Sequence, residues 1–163
     1  MSHMLMRTEL SYDAPPADVF AMLSDPAFRE RVCEAQHAAS YDVSVDVAGA
    51  GLTVRVETEQ NTSGLPSIAK RFVGETTTAI MTETWKDGSG GAVDISAPGK
   101  PTKVTGTVAL REAGTGTIQT VELDAKVKVP LVGGKLEQLL VDTLQSAYAK
   151  EQQVGTAWLA GER

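Results

Sequence analysis

Two carboxylates stand among apolar neighbours in this chain. Glu151 falls between Ala147, Tyr148, Val154 and Gly155, and Glu83 shares one side of an alternating stretch with Ala79, Met81 and Trp85. An unpaired carboxylate taken out of water either costs several kcal/mol or holds its proton to higher pH, so each needs a partner, a water or a way out to solvent. For Glu151 two readings stay open. Helix curvature brings it to the surface, or it is a polar anchor inside a cavity that orients a hydroxyl or amine of a guest. For Glu83 the outcome depends on strand parity: if Met81 and Trp85 turn inward it is a second buried acid, and if they turn outward it is a solvated strand residue. The size and apolar area of Trp85 favour the inward reading.

The remaining reactive side chains are less promising. His37 lies near the end of a helical stretch, where an imidazole can meet terminal carbonyls. Cys33, the single cysteine, sits mid-helix among apolar residues and reads as a small core residue without a depressed pKa. Gly133-Gly134-Lys135 lacks the spacing and the following hydroxyl residue of a phosphate loop, Leu136 standing in that place, and reads as a turn. HExxH, GxSxG, GxGxxG and clustered His/Cys patterns are missing from the sequence, so no catalytic residue, metal ligand set or cofactor is expected.

The 163 residues suit one domain, expected over residues 5–160, able to bury on the order of 70% of its unfolded surface. Ser2-His3-Met4 reads as a cloning scar or loose start. A net charge of -6 without a basic stripe disfavours nucleic acid as a partner. No apolar run approaches the ~18 residues of a membrane span, so stable membrane insertion is not expected either. One cysteine and no secretory signal fit a cytoplasmic protein.

Positioning the two acids is the task of the elements. Leu5–Tyr12 alternates with period two, Asp13-Ala14-Pro15-Pro16 breaks it, and a short helix from Ala17 turns Val19, Phe20, Met22 and Leu23 inward. Asp25-Pro26 caps a second helix expected to run to Ala38. Alternation returns from Tyr41 to Val47 and from Leu52 to Glu59, a hairpin turning at Gly49-Ala50-Gly51. Residues 61–74 break it, as a short helix from Pro66 or an ordered loop. Further strands are expected over Glu75–Lys86, Ala92–Ala97, Lys103–Arg111 and Ile118–Val129, seven in all. From Lys135 to Ala160 the period becomes helical, with Leu136, Leu139, Leu140, Thr143, Leu144, Ala147, Val154 and Trp158 on one face and Tyr148 at its edge. Such a helix is about 39 Å long at ~1.5 Å per residue, so it must lie across the sheet. The pattern predicts one α+β domain with an antiparallel sheet.

The opening Ser11-Tyr12-Asp13-Ala14-Pro15-Pro16-Ala17-Asp18-Val19-Phe20, with Ser24-Asp25-Pro26-Ala27-Phe28, resembles that of START-like (SRPBCC, Bet v 1-type) proteins. Val129-Pro130-Leu131-Val132-Gly133-Gly134-Lys135-Leu136-Glu137 is similar to their junction of last strand and long helix. Leu65-Pro66 through Thr84-Trp85 resembles an actinobacterial branch, the DUF2505 family. The resemblance spans about Met6 to Leu159. It implies a helix-grip fold, in which a curved seven-stranded sheet wraps the C-terminal helix, but it says little of activity, because that superfamily holds lipid carriers, polyketide cyclases, quinone-binding proteins and chaperone regulators on one scaffold.

Three phenylalanines, three tyrosines and two tryptophans serve the whole chain, and the inward strand positions are mostly valine, alanine and threonine. Modest side chains on a curved sheet leave room for a pocket. The expected guest is a hydrophobic small molecule such as a lipid or polyketide, carried or sequestered by a monomer or weak homodimer. Its expected contacts are Leu140, Leu144, Tyr148 and Glu151 of the helix and Val56, Met81, Glu83, Trp85 and Val108 of the sheet. A cyclase or aromatase-type enzyme using a buried carboxylate is the alternative. A protein-binding regulator ranks third, because the outward positions are mostly charged or threonine.

Overall fold

The computed structural model describes residues 3–62, 64–74 and 76–163. Its period-two stretches become β1 (Met4–Tyr12), β2 (Ser40–Ala48), β3 (Gly51–Asn61), β4 (Thr76–Asp87), β5 (Gly90–Ser96), β6 (Thr102–Ala113) and β7 (Gly116–Val127). All pair antiparallel in one sheet of order β1-β7-β6-β5-β4-β3-β2. Strands β2 to β7 follow one another as neighbours, and β1 docks on β7, so the beginning of the chain lies beside the last strand. The expected first residue of β4, Glu75, lies outside the described residues.

Pro16 opens α1 (Pro16–Leu23), where its fixed φ suits the first turn and its missing N–H costs nothing. Asp25 caps α2 (Pro26–Ala35) by accepting the Ala27 N–H at 2.9 Å. This helix ends three residues before the expected Ala38. There His37 takes a φ of 58° and its N–H donates to the Glu34 carbonyl at 3.0 Å, so the histidine turns the chain by its backbone. Between β3 and β4 the chain forms a helix, α3 (Ser67–Val73). Strand β7 stops at Val127, two residues early, and α4 runs over Gly133–Leu159. The Gly133 N–H already donates to the Val129 carbonyl at 2.9 Å, which starts the helix before Lys135.

Helix α4 packs along β1 and β7 and against α2, away from the middle of the sheet. Its buried line therefore passes through Leu136, Glu137, Val141, Tyr148, Glu151, Gly155 and Trp158, rotated from the expected stripe. Thr143 is exposed, while Leu139, Leu140, Leu144 and Ala147 are half-buried. Phe28 of α2 meets Trp158 edge-on with centroids 5.6 Å apart, and the Gln36 side-chain amide donates to the Ala147 carbonyl at 3.0 Å.

The inward side of the sheet is organised in rows across the strands. Leu52, Trp85, Gly91, Val108 and Val121 form one row, and Val54, Glu83, Val93, Gly106 and Leu123 form the next. Val56, Met81, Ile95, Val104 and Ala125 make a third. The first row lies in solid core: Phe20 of α1 packs on Trp85 at 5.4 Å, with Leu23, Val19 and Phe28 fully buried nearby in the same cluster.

At the far end of α4, Gly155 lies against the buried Tyr12 ring, and a Cβ there would stand 2.6 Å from Tyr12 Cε1. Gly155→Ala gains up to about 1 kcal/mol of helix propensity but forces the ring aside at an overpacking cost of about 1–3 kcal/mol. The expected result in urea denaturation is a lower midpoint with unchanged slope, and an equal or higher midpoint would contradict this packing.

Candidate functional site

Because α4 follows β1 and β7 and α1 covers the row of Trp85, the row of Val56, Met81, Ile95 and Val104 is left without a helix directly on top of it. The space holds a cavity of about 740 Å³, within the ~300–1,000 Å³ usual for small-molecule sites. Val56, Met81, Ile95 and Val104 line it from the sheet, Leu140 and Leu144 from α4, Val32 and Cys33 from α2, and Ala69 from α3. Exposed lining residues, among them His37, Pro101, Asp142 and Ser146, mark where it opens. Thr58, Gln60, Thr77 and Thr78 add polar groups towards the other end of β3 and β4, and crystal-like packing density is not reached between helix and sheet.

One end of the cavity is polar. Glu83 points inward from β4, and Arg29 of α2 meets it through two nitrogens, Nη2 to Oε1 at 2.8 Å and Nη1 to Oε2 at 3.4 Å. Both side chains are 2–3% exposed. Trp85 Nε1 also donates to Glu83 Oε1 at 2.9 Å, and Arg29 Nε donates to the Leu23 carbonyl at 2.8 Å. Burial pulls the Arg29 pKa down, yet Glu83 and Glu151 beside it more than offset that and hold it above its ordinary value. The guanidinium is permanently charged, and each of its three nitrogens donates a hydrogen bond within the protein.

Glu151 approaches the same end from α4 and has a poorer set of partners. Its Oε2 accepts from Gln119 Nε2 at 3.3 Å. Burial pushes its carboxyl up to about 7, with Arg29 pulling down, Glu83 pushing up and the Gln119 hydrogen bond pulling down. Tyr148, one turn earlier, lines the cavity, and its hydroxyl makes no hydrogen bond among the described residues. Burial, then Glu83 and Glu151, push the Tyr148 phenol well above its usual value, so it stays protonated. Behind them, the buried Tyr12 hydroxyl and Gln119 Oε1 lack partners among the described residues.

The structure brings Val56, Met81, Glu83, Leu140, Leu144, Tyr148 and Glu151 around one space. Both acids are buried, so the surface reading of Glu151 and the outward reading of Glu83 are set aside. Trp85 turns inward as its size suggests and Val108 is buried as well, but both lie outside the cavity wall. They belong to the row beyond Glu83, one step of about 6.6–6.8 Å along the strands, where α1 fills the space. Sequence reasoning missed Arg29, which sits in the charged run Phe28-Arg29-Glu30-Arg31; the signal available was an inward glutamate in need of a cation. It also missed Glu137, 1% exposed, whose Oε2 accepts the Val127 N–H at 2.9 Å.

Cys33 lies on the cavity wall, and burial pushes its thiol up to about 11, which suppresses thiolate chemistry. Among the described residues no group of three or more His, Cys, Asp or Glu could hold a metal ion. The polar end can therefore accept a hydrogen bond at Glu151, donate or accept one at Tyr148, and exchange one proton near neutrality.

Several solved structures share this architecture. A protein from Thermus thermophilus, TTHA0849, is 19% identical, with 94% of this chain and 98% of that one covered at a TM-score of 0.64. The Zhui aromatase/cyclase from Streptomyces sp. R1128 is 10% identical, with 96% and 93% covered at 0.66. Norcoclaurine synthase from Thalictrum flavum is 12% identical, with 98% and 88% covered at 0.61. At these identities the likeness establishes the helix-grip fold of Bet v 1-like proteins. No curated protein matches the sequence. The model of a protein family of unknown function, DUF2505, matches residues 7–159, and with that span the chain belongs to the DUF2505 family.

Proposed function

We propose that this chain binds a hydrophobic small molecule of lipid or polyketide type inside the cavity, as a carrier or a store. The observation that supports this most directly is an interior space of about 740 Å³ with mainly apolar walls and a buried charged cluster at its Glu83 end, the composition by which a site holds a greasy guest and orients it. Leu140, Leu144, Met81 and Val56 are the apolar contacts in this reading, and Tyr148, Glu151 and Glu83 mark the polar end. Residues 5–160 act as one binding unit, a monomer or weak homodimer, with no nucleic-acid partner, in keeping with the net charge of -6. The single buried free cysteine suits the cytoplasm, and no helix among the described residues is long and apolar enough to cross a membrane.

A second reading, a cyclase-type enzyme, has one observation in its favour. A carboxyl held at about 7 is matched to general acid-base work at neutral pH, and one of the structures sharing this fold is an aromatase/cyclase. On this chain that one group is Glu151, and a cyclase would also draw on the Tyr148 hydroxyl beside it.

Leu144→Trp puts an indole into the cavity from a half-buried helix position. Titration with the neutral fluorophore N-phenyl-1-naphthylamine is expected to show affinity reduced about 10-fold or more, a loss of ~1.4 kcal/mol, with the far-UV circular dichroism of the parent retained. Undiminished affinity in the folded variant would remove the guest from this space.

Glu151 also makes stability depend on pH. Its folded value of about 7 lies above the unfolded 4.5, so the folded state binds the proton more tightly. The stabilisation is complete below pH 4.5, shrinks as pH rises towards 7 and is gone above it, a change of about 3 kcal/mol. The charged and titratable groups coupled to Glu151 are Arg29 of α2, Glu83 of β4, Tyr12 of β1 and Tyr148 of α4, and the Cys33 thiol of α2 lies on the same cavity wall. Across that window Arg29 keeps its charge and the phenols and thiol keep their protons. Glu151→Gln is expected to flatten the profile and to exceed the parent in stability at pH 8. Urea midpoints at pH 5 and pH 8 decide it, and parallel pH profiles for the two proteins would show that the acid is already solvated.

A further inference from the structure

We propose that the cavity selects guests whose inner end carries a hydrogen-bond donor, a hydroxyl or an amine, and rejects guests that bring a carboxylate or another anion to that end. The inference rests on the hydrophobic-guest reading above and narrows it to a chemical class.

At Glu151 the polar end has more acceptor sites than donors that reach them. A carboxylate offers about four acceptor sites, and Glu151, 6% exposed on the cavity wall, receives one hydrogen bond, at 3.3 Å from a neutral amide. The nearest cation is already committed. All three nitrogens of Arg29 donate within the protein, two to Glu83 and one to the Leu23 carbonyl, and Trp85 reinforces Glu83. Two carboxylates thus face one guanidinium, and with Glu151 ionised the end carries a net negative charge in a low-dielectric setting. A guest anion placed there would be a third negative charge beside them, and like charges brought together at a desolvated contact cost several kcal/mol.

A hydroxyl or ammonium group reverses each of these terms. It supplies the donor that Glu151 lacks, and it can share the Tyr148 hydroxyl, which is otherwise unpaired among the described residues. An anionic head could turn outward instead, towards the half-exposed Lys100 or the exposed Lys150 on the cavity margin. Such a pose sets an apolar end against Glu151 and leaves its desolvation uncompensated, while the pair formed outside is weakened by water and salt.

The test uses four probes on one ring system: 2-naphthol, 2-naphthylmethylamine, 2-naphthoate and 2-methylnaphthalene, titrated calorimetrically into the full chain at pH 8. The naphthol and the amine are expected to bind about 10-fold or more tighter than the naphthoate. In Glu151→Gln, which keeps the shape and removes the charge, that preference is expected to fall to within about 3-fold, because the repulsion that generates it is gone. Naphthoate binding as tightly as naphthol to the parent, or a preference unchanged in Glu151→Gln, would overturn the donor rule while 2-methylnaphthalene still reports an intact cavity. If 2-methylnaphthalene and the other three all fail to bind, the hydrophobic-guest reading itself falls, and the donor rule with it.

Discussion

A guanidinium that is withdrawn from water must be met by an anion and by acceptors for its N–H groups, or the fold does not tolerate it. Arg29 meets that demand with three elements at once. Its Nε holds the end of α1 through the Leu23 carbonyl, its two terminal nitrogens hold Glu83 of β4, and its own backbone belongs to α2. Trp85 completes the set by donating to the same glutamate. The elbow between the two short helices is thereby tied to the sheet at one row, and the core on the α1 side of that row closes around Trp85, Phe20 and Leu23. On the other side, among the described residues, no buried ion pair draws α4 towards β3, β4 or β5.

That asymmetry explains why an interior space persists. Helix α4 is anchored near its start by Glu137 on the Val127 N–H and near its end by the close approach of Gly155 to Tyr12, both contacts falling on β1 or β7. Gln36 steadies its middle from α2. None of these anchors pulls the helix towards β3, β4 or β5, where the facing residues are Thr58, Ala79, Met81 and Ile95. Closing the gap would require larger side chains on the sheet or a displaced helix. An apolar wall without partner atoms forgoes dispersion contacts on that side, and a guest restores them.

Most of the fold was legible because it follows from periodicity. The change from period two to the helical period after Val129 marks the last element, and proline and glycine clusters mark the reversals. Element ends were less legible, since His37 and Gly133 end or begin helices through backbone hydrogen bonds that no side-chain pattern announces. In the site, the inward direction of Glu83 could be argued from Met81 and Trp85, but strand parity gives a face and not a depth. Trp85 and Val108 share the inward face with the cavity residues and were displaced from the wall only by where α1 lands. Arg29 was hidden because an arginine between Phe28 and Glu30 looks like one more solvated charge until its partner 54 residues away is known.

The same partition of charge bears on the difference between holding a molecule and transforming it. Glu83 is held by Arg29 and Trp85, so its acceptor sites are spent on structure. Tyr148 and Tyr12 are pushed upward by burial and by the neighbouring carboxylates, and the Cys33 thiol, raised to about 11, supplies no nucleophile at neutral pH. Burial holds the Glu151 carboxyl at about 7. Catalysis of a condensation or cyclisation needs a base, an acid and a stabiliser for the charge that develops between them, and here Glu151 and the protonated Tyr148 phenol are the groups placed to share those tasks. A guest with a donor at its inner end asks less of the site: an acceptor that is short of partners, beside walls that favour an apolar body.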